Sequence, residues 1–497
     1  MLIPLLIAAM ATHSELAPPV LHEPDPVLAG YLIEAADNHP ALAQRYEEWR
    51  AALEVIPQVT SLDDPMFRYG QFIRSSMGRA EFELMQKFPW FGTLAAKGDA
   101  ATAEAEAALQ RFFAERDTVF YGVRRWYREY QWLGDQLRVI ESQQTVVDYV
   151  ADLVEAKLSL GLATDAEWYR INIASTQLQD QFDGLHEQIP AVAAALAAAM
   201  GRRGGESVPL PLPERSGLPP EPPDMESVHD RIASVNPSLR IADHRIESLR
   251  YQEVLARKRG RPEFTIGLEY MLNRRDRSMV GGQPTLETLA AANRLGQVAA
   301  GQMAPMPIDI LMDANMVNMA RREAGRQEGP RDNLMLSVTV SLPIYRERVR
   351  AGVNEARAMQ RAVQHEREAQ LLELEAAAAQ AHFRMRDGSR RFAVHEVSLL
   401  PQAELTIESI GEKYAADAFG VSFIDVVEST QLLLEFELEK ARALREWRMG
   451  EAELLLLTSG ELPRYDENAR AEIEPTTPYL PLIEAEIPLI EAEEAAE

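Results

Sequence analysis

The chain has 497 residues, 46% of them hydrophobic and 26% charged, which is enough for two or three ordinary domains. Its formal net charge of −26 argues against nucleic acid or anionic lipid headgroups as main partners. It contains no cysteine, which excludes disulfides, thiolate metal sites, cysteine nucleophiles and a lipidated N-terminal Cys.

The N-terminus, MLIPLLIAAMATHSE, is apolar from Met1 to Ala11, and Ala9-Met10-Ala11 has the form of a cleavage signal before Thr12. Residues 1–11 read as a signal peptide; the alternative is a short buried segment. No later run reaches the roughly 18 apolar residues of a transmembrane helix, so any crossing of a membrane would use strands.

Two weakly alternating segments follow. MFRYGQFIR (strand expected over about 66–74) places Phe67, Tyr69 and Ile73 on one face. EFELMQKF (about 80–88) places Phe82, Leu84 and Phe88 opposite Glu81, Glu83 and Lys87. At Phe88-Pro89-Trp90-Phe91 the pattern changes, and a Pro-free helix is expected from about Thr93 to Leu160. At 1.5 Å per residue it would span roughly 100 Å, far beyond a globular helix. A return helix is expected from Asp165 to about Leu185, continuing to Met200.

A Pro/Gly-rich linker, Gly201 to Met225, separates this half from the next. EFTIGLEYM (263–271) alternates Phe264, Ile266, Leu268 and Tyr270 with Thr265, Gly267 and Glu269. LMLSVTVSL (334–342) sets Leu334, Leu336, Val338, Val340 and Leu342 against Met335, Ser337, Thr339 and Ser341. Helices are expected over about 349–418, interrupted at Pro401, and over 423–457. The acidic end, 460–497, contains the near-repeat PLIEAEIPLIEAEEAAE.

Strands of about nine residues with one apolar face fit the wall of a transmembrane β-barrel. A half-buried strand in a soluble antiparallel sheet has the same pattern. The aliphatic face of Leu334–Leu342, the long helices and the signal-like start favour the wall. The halves also match each other: Pro89 and Pro343 each end a strand and open a helix, and Thr164 and Ser422 each follow a long helix. Asn38-His39-Pro40-Ala41-Leu42 is similar to Asn236-Pro237-Ser238-Leu239. A duplicated unit in which one strand connection is enlarged (273–333) accounts for the different spacings. The units would be 12–200 and 226–459.

No catalytic constellation is present: the nine histidines are scattered, and there is no HExxH, GxSxG or phosphate-binding glycine loop. Neither an enzyme activity nor a cofactor is expected. The enlarged loop holds Met279, Met303, Met306, Met312, Met316 and Met319. Thioethers can bind Cu(I), but spacing i, i+4, i+7 reads first as the apolar stripe of a small helix over the barrel mouth. No metal site is expected.

Several motifs in order resemble one family. They are DPMFRYG (64–70), QKFPWFG (86–92), LGLATDAEW (160–168), LPIY (342–345), LLPQAE (399–404), Tyr414 and VSFIDVVESTQ (421–431). Together, over roughly residues 27 to 459, they resemble outer-membrane efflux proteins of the TolC type, nearest the branch serving heavy-metal and related resistance-nodulation-division (RND) pumps. The resemblance implies a mixed α/β membrane channel. Four transmembrane strands per chain would join a homotrimer with one 12-stranded β-barrel, since four strands cannot close alone. A long periplasmic α-helical barrel would continue it. The implied partners are a periplasmic adaptor (membrane fusion) protein, an inner-membrane RND or ABC transporter and outer-membrane lipid, with no nucleic acid.

The resemblance also assigns sites. The helical tips, Gly161, Leu162 and Thr164 with Gly420, Val421 and Ser422, would meet the adaptor; the residue types alone also read as plain turn chemistry. Asp425 and Glu428, with Glu167 at the matching place after the first tip, would form the periplasmic gate, where crowding would raise some carboxyl pKa values. A solvated first turn favoured by the helix dipole is the alternative. The second tip has Phe419 where the family usually has Gly, and lacks the family's latching Arg. Phe88, Trp90, Phe91 and Tyr345 would form an aromatic girdle at the membrane interface. The function implied is the gated exit duct of a tripartite efflux pump or type I secretion system. Rival readings are a surface receptor or adhesin using the long loop, and a soluble periplasmic coiled-coil scaffold.

Overall fold

A computed structural model describes residues 25–73, 78–202, 208–209, 219–273, 286–300, 312–319, 332–416, 421–460 and 462. The signal-peptide and acidic-tail segments, Phe419, Gly420, and Met279, Met303 and Met306 lie outside the described residues. The chain divides into two units, one built from residues 1–44, 112–239 and 369–497, the other from 45–111 and 240–368.

Helices α1 (Pro26–Asn38) and α2 (Pro40–Thr60) come first. Asp25 caps α1, its carboxylate accepting from the Val27 and Leu28 N–H groups. Strands β1 (Met66–Gln71) and β2 (Gly78–Phe88) lead into α3 (Thr93–Ser159), a single helix of 67 residues. Next come α4 (Asp165–His186), α5 (Ile189–Ala199), α6 (Met225–Val235) and α7 (Pro237–Lys258). The remainder is β3 (Glu263–Asn273), α8 (Leu286–Ala299), β4 (Asn333–Ser341), α9 (Arg346–Val394), α10 (Leu400–Ala415) and α11 (Phe423–Leu457).

Several boundaries differ from the sequence expectation. The first strand stops at Gln71 rather than about 74. The return helix does not continue unbroken to 200: Pro190 sits in the first turn of α5, and having no N–H it cannot extend α4. The long helix opens at Arg346, not 349, and its interruption precedes Pro401. Residues His395–Leu399 form a π-helical turn in which the Leu400 N–H reaches the His395 carbonyl. Proline removes a donor and crowds the carbonyl four residues back, and a π-bulge relieves both. The enlarged loop is partly helical, at α8 and over 312–319. Met312, Met316 and Met319 are exposed there rather than packed as a stripe.

The unit containing the sheet joins its strands in the order β1-β2-β3-β4, all antiparallel. The register fixes which side chains share a face. Phe67 pairs with Leu84, Leu84 with Leu268, and Leu268 with Leu336. Tyr69, Phe82, Tyr270 and Leu334 form a parallel row. One apolar face therefore runs across all four strands, and Arg68, Glu83, Glu269 and Met335 lie on the other.

The helical unit packs a core of buried hydrophobic residues between its helices. Trp447 of α11 is 1% exposed among Met385, Ala381 and Ala378 of α9 and Val228 and Ile232 of α6, and its indole N–H donates to the Pro220 carbonyl. A second core joins two helical hairpins: Ile140, Val147, Val150 and Val154 of α3, Ile171 and Leu178 of α4, Tyr414 of α10, and Phe423 and Val426 of α11.

Candidate functional site

Three features could serve transport: the sheet, the corner where it meets the helices, and the hairpin ends.

The sheet's apolar face is open. Phe67, Leu336 and Leu334 are 67%, 70% and 68% exposed, and Leu84, Ile266, Leu268 and Val338 are exposed as well. The opposite face carries ion pairs instead, Arg68 with Glu83 at 3.7 Å and Lys87 with Glu263 at 2.7 Å. Within the described chain β1 and β4 are edge strands. In water a long, flat apolar edge is an aggregation hazard.

At the corner, Pro89 cannot donate to the strand ladder and ends β2. Gly92 turns the chain at φ 71°, a left-handed conformation that side chains resist, and the Lys258 ammonium donates to the Phe91 carbonyl at 2.9 Å. Of the four sequence-assigned aromatics, Phe88, Trp90 and Phe91 line one groove here. Trp90 stacks on Phe264, centroids 6.0 Å apart, and meets Phe91 edge-on; Phe88 lines the same groove, and Phe91 and Tyr345 are largely exposed.

The first tip closes by a full Schellman motif. Gly161, at φ 75°, sends its N–H to the Leu158 carbonyl, and the Leu162 N–H returns to the Lys157 carbonyl. Thr164 then caps α4 in a capping box. Its hydroxyl accepts from the Glu167 N–H at 3.3 Å, and the Glu167 carboxylate accepts from the Thr164 N–H at 2.9 Å. Leu160 and Leu162 are 73% and 57% exposed.

The second tip repeats the device with a shorter acid. The Ser422 hydroxyl accepts from the Asp425 N–H, and the Asp425 carboxylate accepts from the Ser422 N–H at 2.6 Å and from its hydroxyl at 2.8 Å. Glu167 and Asp425 are thus equivalent, each the third residue of its helix, while Glu428 stands exposed one turn on. Hydrogen bonds from the Ser422 backbone and then its side chain hold the Asp425 carboxyl below the usual aspartate range. Within one chain the shift is therefore opposite to that expected from carboxylate crowding. Val421 is half-buried beside the inter-hairpin core.

One residue at this end was missed. Lys157 is only 6% exposed; its ammonium donates to the Tyr414 carbonyl and lies 4.0 Å from the Tyr414 ring centroid. It ties the first hairpin to the second beside the tips. The signal was available, because Val147, Val150, Val154 and Lys157 continue one helical stripe.

Among the described residues no cluster of three or more metal-ligating side chains occurs, and no helix is long and apolar enough to cross a membrane.

The fold is similar to that of solved outer-membrane channels. The outer-membrane channel OprN matches with a TM-score of 0.65 at 14% identity, over 88% of this chain and 91% of that one. VceC of Vibrio cholerae matches with a TM-score of 0.64 at 16% identity, over 88% of this chain and 96% of that one. CusC matches with a TM-score of 0.65 at 13% identity, over 88% and 92%. No protein-family model and no curated protein matches the chain.

Proposed function

We propose that this chain is the outer-membrane exit duct of a tripartite efflux pump or type I secretion system. The observation that carries the reading is the sheet, whose apolar face is exposed along all four strands while its other face carries the charges. Lipid accommodates such a face; water does not. Unsatisfied strand edges are not viable in a bilayer, so the open edges β1 and β4 call for further copies. Three chains would close a 12-stranded barrel. The helices would continue it into the periplasm.

Each half runs helix, helix, strand, strand, long helix and return helix, with α8 inserted between β3 and β4 and the second long helix broken at the π-turn before α10. We read it as a duplication, with residues 12–200 and 226–459 as the repeats. The exposed Leu160 and Leu162, with Gly161, Thr164 and Ser422 shaping the turns, form a surface suited to a periplasmic adaptor, itself coupled to an inner-membrane RND or ABC transporter. Small molecules or metal ions would pass by gated passive conduction. Asp425 and Glu428, repeated around the trimer axis, would form the constriction, with Glu167 supporting the neighbouring turn. Lys157 on Tyr414 would hold the hairpins together in the closed state.

Planar-bilayer recordings test the gate. Conductance should rise in the double variant Asp425→Ala, Glu428→Ala, and block by multivalent cations should weaken. Unchanged conductance and unchanged block would remove these residues from the gate.

A further inference from the structure

The corner has a second property, which the net charge conceals. An apolar groove of about 500 Å³ opens there, lined by Leu62, Phe88, Trp90, Leu94, Phe264 and Ile266. Lys258 reaches its edge at Phe91, and further basic residues adjoin Lys258. The end of α7 and the turn after it read Arg257-Lys258-Arg259-Gly260-Arg261, and the start of α9 carries Arg346, Arg348 and Arg350. Contacts draw these segments together: Lys258 reaches the Phe91 carbonyl at 2.9 Å, and a Cβ on Gly260 would lie 3.0 Å from Val349.

The acids here are largely engaged. Glu253 binds Arg257 and Arg357, Glu263 binds Lys87, and Glu347 binds Arg350. Asp63 and Asp64 adjoin Leu62 on the β1 side. Arg259, Arg261, Arg346 and Arg348 are exposed and form no ion pair among the described residues. In a chain of net charge −26, this concentration of uncompensated guanidinium beside an apolar groove calls for a ligand.

We propose that the corner binds an anionic phospholipid, one acyl chain in the Phe88–Trp90–Phe264 groove and the phosphate at Lys258, Arg259 and Arg261. The match is of charge and of depth. An aromatic ring at the headgroup level with cations just beyond it is the arrangement that recognises an acidic lipid. Net charge argues against anionic lipid as a general partner, whereas this site would take it locally. The proposal rests on the sheet being the membrane wall.

The full chain would be mixed with zwitterionic phosphatidylcholine vesicles containing some phosphatidylglycerol, with bromine on the acyl chains of one lipid or the other. Flotation reports insertion. Quenching of Trp90, taken as the difference from Trp90→Phe, reports which lipid fills the groove. Brominated phosphatidylglycerol should quench more than its share of the bilayer, and the excess should fall about fivefold for each cation removed in the series Lys258→Gln, Arg259→Gln, Arg261→Gln. Arg259→Lys with Arg261→Lys should keep it. A chain that floats with equal quenching by both lipids overturns the site and leaves the membrane reading standing. A floating chain with Trp90 unquenched by either would place a second copy over the groove, and also overturns it. A chain that does not float with any vesicle refutes the membrane reading itself.

Discussion

The core between the helices and the face of the sheet use the same hydrophobic residue types in opposite ways. In the helical unit Leu28, Val154 and Leu454 are fully buried and Trp447 is 1% exposed. In the sheet Leu334, Leu336 and Val338 are each more than 60% exposed. One protein does not need two rules of burial if its parts face two solvents. The helical core follows the rule for water; under the proposed function the sheet would follow the rule for hydrocarbon, with its apolar face to lipid.

Substitutions that respond differently in the two solvents can break that contrast. The largest effect is expected in the helical unit. Trp447→Ala would empty the core formed by α6, α9 and α11 and should cost about 3–5 kcal/mol, read by denaturant unfolding in detergent. Leu336→Arg sits in mid-strand beside Leu268. In vesicles it should cost about 2–4 kcal/mol, but if the face met water it should cost less than about 0.5 kcal/mol. Comparing the same variant in a bilayer and in a water-soluble refolding assay isolates the solvent.

The smallest effects belong to the tips. Thr164→Ala deletes the acceptor for the Glu167 N–H and should cost about 1 kcal/mol, measured as a lowered melting midpoint. At the second tip the contribution depends on pH. Because Ser422 lowers the folded-state pKa of Asp425, the associated stability is present above the unfolded value and is lost as pH falls through the folded one. Ser422→Ala should move the Asp425 titration upward, as followed by carboxyl NMR. A wild-type Asp425 titrating above the usual aspartate range would mean that crowding, not capping, controls it.

Much of this was legible in the sequence because it rests on local pattern. Alternation from Leu334 to Leu342 and from Phe264 to Tyr270 marks strands whatever they face. Gly161 with Thr164 and Glu167, and Ser422 with Asp425, follow capping chemistry that operates within a few residues. What was not legible depends on distance. The π-turn lies upstream of Pro401 because proline acts on the carbonyl four residues earlier. The helices α1, α2, α6 and α7 went unread although Asp25 and Asp224 cap two of them. The stripe Val147, Val150, Val154 marks Lys157 as inward-facing, but its partner Tyr414 comes from α10, 257 residues further along. The basic corner is hidden by a whole-chain sum, because Arg261 and Arg348 are far apart in sequence.

Whether the exposed sheet is a membrane wall decides between a channel and a soluble scaffold. Fractionation of cells expressing the chain, followed by alkaline carbonate washing and detergent extraction, tests this directly. The chain should stay in the outer-membrane pellet through the wash and leave it only in detergent. Recovery in the soluble periplasmic fraction would contradict the barrel and favour a coiled-coil scaffold.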